Sequence, residues 1–176
     1  YNRSGNFKNN ILYRGSNNTS SYSQKYLEEI RMNNDRDANV VSSNLNETDP
    51  RYNPNYTYGT SLAFNTFWID TVGGSTNGAF DFQSRSAKLL STGLLQEQKL
   101  QSWGGINEVA LGFGVSASDK LMVGGTLGIP FLTYERESSF TEVDATDNPN
   151  NNFDFATAFE NLTTKGAGIN LKAGLI

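Results

Sequence analysis

Residues 105–117, GINEVALGFGVSA, alternate between bulky and small side chains. The odd positions from 109 to 115 carry Val, Leu, Phe and Val, and the even positions between 110 and 116 carry Ala, Gly, Gly and Ser. Because successive side chains of a β-strand point to opposite faces, this alternation predicts a strand with one bulky apolar face and one face of small residues. The wet face of a soluble sheet ordinarily carries larger polar residues, so the pattern favours apolar surroundings on one side.

The same asymmetry returns in two later stretches. KLMVGGTLGIPFLTY, residues 120–134, and TTKGAGINLKAGLI, residues 163–176, both place apolar residues at odd positions and Gly, Thr, Asn or Lys at several even ones. Each apolar face spans about 9 to 11 residues, the length that a tilted β-strand needs to cross a bilayer. We therefore predict membrane strands over about 99–117, 120–134 and 158–176.

The connections between these strands are unequal in length. Ser118 and Asp119 suit a tight turn, whereas residues 135–157 read as a long polar loop, and this inequality is typical of outer-membrane barrels. Pro130 lacks the N–H that a paired strand needs, so we expect a kink there that faces the lumen. Three aromatic residues are placed to join a girdle at the membrane surface: Trp103, Phe131 and Tyr134.

Residues 1–98 are rich in Asn, Ser and Tyr and predict the end of a barrel strand followed by a long extracellular loop region. Within it, SQKYLEEIRM places Tyr26, Leu27 and Ile30 at helical spacing, with Ser23 at the N-cap position, and predicts a short helix that packs the loop. Residues 83–98 fit a helix broken at Gly93 or an extended approach to the next strand.

Composition excludes several kinds of chemistry. The 176-residue chain has no Cys and no His, so Ser-His-Asp or Cys-His catalysis and His- or Cys-ligated metal sites cannot be built from it. Its net charge is −4 and its Lys and Arg residues are scattered, which argues against nucleic-acid binding. We expect no enzyme activity, no catalytic residue, no metal and no cofactor.

An acidic group lies in the predicted loop 135–157. Its spacing matches no EF-hand, so we interpret it as a solvated anionic loop rather than a calcium site. The group consists of Glu135, Glu137, Glu142, Asp144, Asp147 and Asp154.

The run YGTSLAFNTFWID, residues 58–70, is the most apolar part of the loop region. Its bulky residues are candidates for the first contact with an apolar ligand, and packing within the loops is an equally open reading. The candidates are Leu62, Phe64, Phe67, Trp68 and Ile69.

Two quoted segments resemble the FadL/TodX-type outer-membrane transport proteins, particularly their Bacteroidetes-like branch. These are INEVALGFGVSASDKLMVGGTLGIPFLTYERESSFTE, residues 106–142, and NLTTKGAGINLKAGLI, residues 161–176; SLAFNTFWID has a counterpart before them. The resemblance is best over residues 99–176 and implies a 14-stranded barrel with a plug domain and lateral exit of the ligand. We expect the chain to be an internal fragment of such a protein, without the plug and the later strands.

The fold expected is therefore all-β, a fragment of a transmembrane antiparallel β-barrel with long extracellular loops that contain a short helix. The residues expected to face lipid are Val109, Leu111, Phe113, Val115, Leu121, Val123, Leu127, Ile129, Ile169 and Leu171. The residues expected to face the lumen are Gly112, Gly114, Gly124, Gly128, Asn170 and Lys172.

The expected function is a channel of the bacterial outer membrane for uptake of hydrophobic small molecules such as fatty acids and aromatics. Its surroundings would be outer-membrane lipid and lipopolysaccharide. The first alternative is a structural or accessory barrel subunit that binds other outer-membrane proteins through its loops. The second is a soluble β-sandwich with carbohydrate-binding loops, whose paired Gly-rich faces would be unusual.

Overall fold

The computed structural model describes residues 2–33, 45, 55–72, 81–146 and 148–176. Within these ranges the long strands are β1 (Asn2–Asn17), β4 (Leu94–Ser118), β5 (Leu121–Asp144) and β6 (Phe155–Ala167). The shorter strands are β2 (Ile69–Val72), β3 (Asp81–Ser84) and β7 (Asn170–Leu175). Two α-helices, α1 (Gln24–Met32) and α2 (Tyr58–Asn65), and a 3-10 helix at Ser86–Leu89 complete the described elements.

The prediction of a mainly antiparallel all-β fold is confirmed. Five strands form one sheet in which β1, β4, β5 and β6 are neighbours in that order and β7 pairs with β5. A separate antiparallel pair joins β2 to β3, with Ile69 opposite Ser84 and Val72 opposite Asp81. Among the described residues, no helix is long and apolar enough to cross a membrane.

The predicted loop at 135–157 is wrong in its bounds. Strand β5 continues to Asp144 and β6 begins at Phe155, so the connection covers only residues 145–154. This segment also contains Phe140, Thr141 and Val143, residue types that favour strands. Glu142 is fully buried rather than solvated, because neighbouring donors satisfy its carboxylate. Polarity alone was therefore a poor guide to the end of this strand. Asp147 lies outside the described residues.

The predicted single strand 158–176 is divided into β6 and β7, and both parts pair with β5 in one continuous register. Asp144 N–H donates to the Asp154 carbonyl, Gly168 N–H to the Pro130 carbonyl, and Met122 N–H to the Ile176 carbonyl. The interruption lies opposite Pro130, which has no N–H to donate to the ladder. β5 itself continues through Pro130, so the irregularity is seen in the partner strand.

The chain divides into two compact units. The sheet unit comprises Tyr1–Tyr13, Gln98–Ser139 and Phe159–Ile176, and the packed unit comprises Arg14–Glu97 and Phe140–Ala158. The packed unit has an apolar core in which Leu45, Ile69 and Trp68 are buried with residues of α1.

The short helix predicted in the loop region is confirmed, and Tyr26, Leu27 and Ile30 are its buried residues. Ser23 occupies the N-cap position without a side-chain capping hydrogen bond, because its hydroxyl bonds to Ser84 and Ser86 instead. Of the two readings for residues 83–98, the structure has one 3-10 turn and then extended chain from Leu94.

Candidate functional site

Strands β5 and β7 of the sheet unit have two chemically different faces. Their register places Val123 opposite Leu175 and Leu127 opposite Leu171. Directly opposed residues of an antiparallel pair have side chains on the same face of the sheet. These pairs therefore share one apolar face, with the pair of Gly125 and Ala173 between them.

The residues that alternate with these apolar residues along β5 and β7 form the opposite face of the sheet. Thr126 lies opposite Lys172, Gly128 opposite Asn170, and Gly124 opposite Gly174. This second face, which we call the small-residue face, is polar or carries no side chain.

Strand β4 follows the same division. A Cβ on Gly125 would lie 2.9 Å from the Phe113 ring, so Phe113 covers the apolar face. A Cβ on Gly112 would lie 3.5 Å from the Thr126 hydroxyl oxygen, so Gly112 belongs to the small-residue face. The alternation in GINEVALGFGVSA therefore corresponds to two real faces across neighbouring strands.

The apolar face is largely exposed in this chain. Leu111 and Phe113 are each 69% exposed, and Ile169 and Leu171 are each 77% exposed. The other residues predicted to face lipid are also exposed, except for Val123, which is half-buried. This is a large apolar surface for a protein in water.

Sequence reasoning missed one charged residue of the small-residue face, Glu108. Asn170 donates from Nδ2 to Glu108 Oε1 at 3.3 Å, and the carboxylate lies where a Cβ on Gly128 would stand. Glu108 has the same even parity as Gly112, so the alternation itself could have identified it.

An open groove of about 780 Å³ lies on the sheet unit, with Lys172 as the charged residue of its lining. The groove passes over strands β4, β5 and β7. Its lining residues are Gly112, Phe113, Gly114, Val115, Ser116, Met122, Val123, Gly124, Gly125, Thr126, Lys172, Ala173, Gly174 and Ile176.

The five residues considered for first ligand contact do not form one surface. Trp68 and Ile69 are buried in the core of the packed unit, and Phe64 packs against that core. Leu62 and Phe67 are exposed. Of the two readings left open by the sequence, packing thus fits Phe64, Trp68 and Ile69, while Leu62 and Phe67 stay candidates for ligand contact.

The packed unit contains a buried carboxylate, Glu142, whose neighbours are hydrogen-bond donors. Tyr22 N–H and Gln96 Nε2 donate to Oε1 at 2.6 and 2.7 Å. The Ser21 hydroxyl and Trp68 Nε1 donate to Oε2 at 2.8 and 3.0 Å. Four donors match the acceptor capacity of one carboxylate.

A cluster of four buried serines continues this network. Ser21 lies before α1, and Ser23 is at its N-cap position. Ser84 is the last residue of β3, and Ser86 is the first residue of the 3-10 helix. The hydroxyls of Ser21 and Ser86 lie 2.8 Å apart, and those of Ser23 and Ser84 lie 2.5 Å apart. Since these hydroxyls are buried and bonded to one another, the cluster joins segments of the packed unit rather than presenting a nucleophile to a substrate.

Two titratable groups of the packed unit are shifted by their surroundings. Burial raises the pKa of Tyr26 well above its ordinary value, and neighbouring Tyr22 adds to the effect. Hydrogen bonds lower the pKa of Asp144, first the one from the Thr146 hydroxyl and then the one from Asn151. The Thr146 hydroxyl and Asn151 Nδ2 each donate to the Asp144 carboxylate at 2.6 Å.

Comparison of the chain with protein-family models, with curated proteins and with solved structures gives no match.

Proposed function

We propose that the chain is part of an outer-membrane β-barrel that admits hydrophobic small molecules, with β4, β5 and β7 in its wall. The observation that carries the proposal is the division of one sheet into an exposed apolar face and a small-residue face. A barrel wall needs this division, because alternate residues meet lipid and lumen along each strand.

The exposed side chains favour lipid over water as the surroundings of the apolar face. Transfer of apolar surface out of water is favourable by about 25 cal/mol per Å². Side chains as large as Leu111, Phe113 and Leu171 would remain in water if the sheet were free in solution. A bilayer would remove that cost without a second protein layer.

The small-residue face supports passage of a ligand. Gly112 and Gly124 add no side chain to the space above the sheet, which leaves room beside Thr126 and Lys172, while the Glu108 carboxylate occupies the space over Gly128. The side chains of Thr126, Asn170 and Lys172 would be the polar groups that a ligand meets on this face.

A matched pair of substitutions tests which face meets lipid. Leu111→Lys puts an ammonium on the apolar face, which costs about 2–4 kcal/mol near the middle of a bilayer. Gly114→Lys puts the same group on the small-residue face, where a Cβ would have nothing within 4 Å. We expect Leu111→Lys to reduce the amount of full-length protein assembled in outer membranes, and Gly114→Lys to assemble normally. Equal assembly of the two variants would contradict the assignment of the faces.

Uptake is tested separately, with cells that make or lack the full-length protein and a fluorescent fatty acid. We expect faster uptake in the cells that make it. Normal membrane assembly with equal uptake in both cell types would refute transport and favour the accessory role.

A further inference from the structure

Phe67 has an unusual backbone conformation for its residue type. Three of the described residues have positive φ: Gly93 at 152°, Asn152 at 59° and Phe67 at 59°. Gly has no Cβ to clash, and Asn adopts the left-handed region more readily than other side chains. A bulky aromatic residue there is strained, so Phe67 is the exception that needs an explanation.

The fold requires the conformation at this position. Helix α2 ends in a Schellman motif, in which Trp68 N–H donates to the Ala63 carbonyl at 2.8 Å and Phe67 N–H to the Phe64 carbonyl at 3.0 Å. The residue that turns the chain in this motif is usually Gly. The turn leads into the buried residues Trp68 and Ile69, so the backbone geometry has a structural role.

The side chain of Phe67, by contrast, adds little to packing. It is 61% exposed. The guanidinium carbon of Arg85 lies 5.5 Å from the ring centroid, and Arg85 is held in place by an ion pair with Asp70 and a hydrogen bond to the Asn152 carbonyl. The ring is therefore supported from one side by a fixed cation while much of its surface meets solvent.

We infer that Phe67 is a ligand-contact residue that stacks planar aromatic molecules on the exposed part of its ring. Strained residues occur mainly at functional sites, where a side chain is retained despite the cost to the fold. A flat ring with Arg85 against one side suits a flat partner, since offset stacking is favoured. The inference rests on the proposed function and narrows its ligand class.

The test compares two ligands of the same skeleton, 2-naphthoate, which is planar, and decalin-2-carboxylate, which is saturated and not planar. Their binding to the purified full-length chain in detergent micelles is measured by equilibrium dialysis against micelles alone. We expect tighter binding of 2-naphthoate. Phe67→Gly should weaken that binding about three- to tenfold, as expected for one lost aromatic pair, and Phe67→Trp should retain it.

Two readouts separate ligand contact from a structural role. The thermal midpoint of Phe67→Gly should equal or exceed that of the parent chain, because glycine relieves the left-handed strain. Phe67→Leu keeps the strain and the apolar bulk but should lose the preference for the planar ligand. Phe155, 64% exposed at the start of β6, provides the control, and Phe155→Ala should bind 2-naphthoate normally.

Two results would overturn the inference: unchanged 2-naphthoate binding in both Phe67→Gly and Phe67→Leu, or a lowered thermal midpoint for Phe67→Gly. Failure of the proposed function is distinguishable from this. If the chain is not part of a transporter, fatty-acid uptake will be equal with and without the protein, whatever the 2-naphthoate assay shows. If only the role of Phe67 is wrong, the protein will still speed uptake, and the Phe67 variants will change neither uptake nor 2-naphthoate binding.

Discussion

The buried carboxylate of Glu142 allows a quantitative prediction. Glu142→Gln keeps the size of the side chain and replaces one carboxylate oxygen by an NH2 group, which cannot accept a hydrogen bond. The amide is best tolerated with its NH2 toward Ser21 and Trp68. The Ser21 hydroxyl can turn to accept, and Trp68 Nε1 keeps its 2.9 Å bond to the Ser86 hydroxyl.

The cost follows from the bonds that remain. Tyr22 N–H and Gln96 Nε2 would donate to a neutral carbonyl instead of a carboxylate, and the Trp68 bond to Glu142 would be lost. A hydrogen bond to a charged group is worth about 1 kcal/mol more than a neutral one, and a neutral one about 1 kcal/mol. We therefore expect the free energy of unfolding of the packed unit to fall by about 2–4 kcal/mol.

Intrinsic fluorescence reports this change directly, because Trp68 donates to Glu142. In a Trp103→Phe background, Trp68 is the remaining tryptophan of the 176 residues, and its emission is followed during urea unfolding of this chain. Glu137→Gln, a substitution on the same strand outside the network, serves as the control and should change stability by less than about 0.5 kcal/mol. If Glu142→Gln unfolds at the same urea concentration as this control, the network does not stabilise the unit.

Three further outcomes are expected. Because burial raises the pKa of Tyr26, the folded state favours the neutral phenol. This stabilisation is complete below the ordinary pKa of 10.0 and is lost as pH rises above that value. Tyr26→Phe should therefore unfold less readily in alkaline solution than the parent chain, as followed by circular dichroism. The lowered pKa of Asp144 works in the opposite sense, since its contribution is present above the ordinary value of 3.8 and is lost as pH falls below it. The protection factors of the amides in the following loop, relative to intrinsic exchange at the same pH, should therefore fall in acid, and Asp144→Asn should show the low protection already at neutral pH. Gly104→Ala should lower the free energy of unfolding by about 1–3 kcal/mol, because the new Cβ would collide with the Thr133 carbonyl oxygen. Gly128→Ala should cost less, because its Cβ meets the Glu108 carboxylate, which can move. Equal thermal midpoints for these two variants would contradict this account.

The two faces of the sheet could be predicted from the sequence because the period of a strand is two, whatever lies around it. Residues 105–117 and 163–176 alternate clearly, and the contacts of Phe113 with Gly125 and the pairing of Leu127 with Leu171 agree with that alternation. Whether lipid and a lumen lie beyond those faces remains a prediction, since the strand pattern specifies polarity and not its surroundings.

Other features depended on contacts between distant parts of the chain. Residues 135–144 look like loop because they are polar, and they form a strand partly because Ser21 and Gln96 supply donors to Glu142. Trp68 is buried because its Nε1 finds two acceptors, which its sequence neighbours do not reveal. The left-handed turn at Phe67 could not be predicted either, because the glycine that normally marks such a helix end is absent.

The turn between β4 and β5 has only two residues, Asp119 and Lys120, so the number of residues in these strands decides which face of the sheet each side chain occupies. Deleting one residue within β5 would exchange the faces of all its residues beyond the deletion, because side chains alternate strictly. Loop 145–154 has no such constraint, since a longer excursion can still return β6 to the same starting point. Insertions of any length, such as peptide tags, should therefore be tolerated in that loop. The strands should tolerate substitutions but not insertions or deletions.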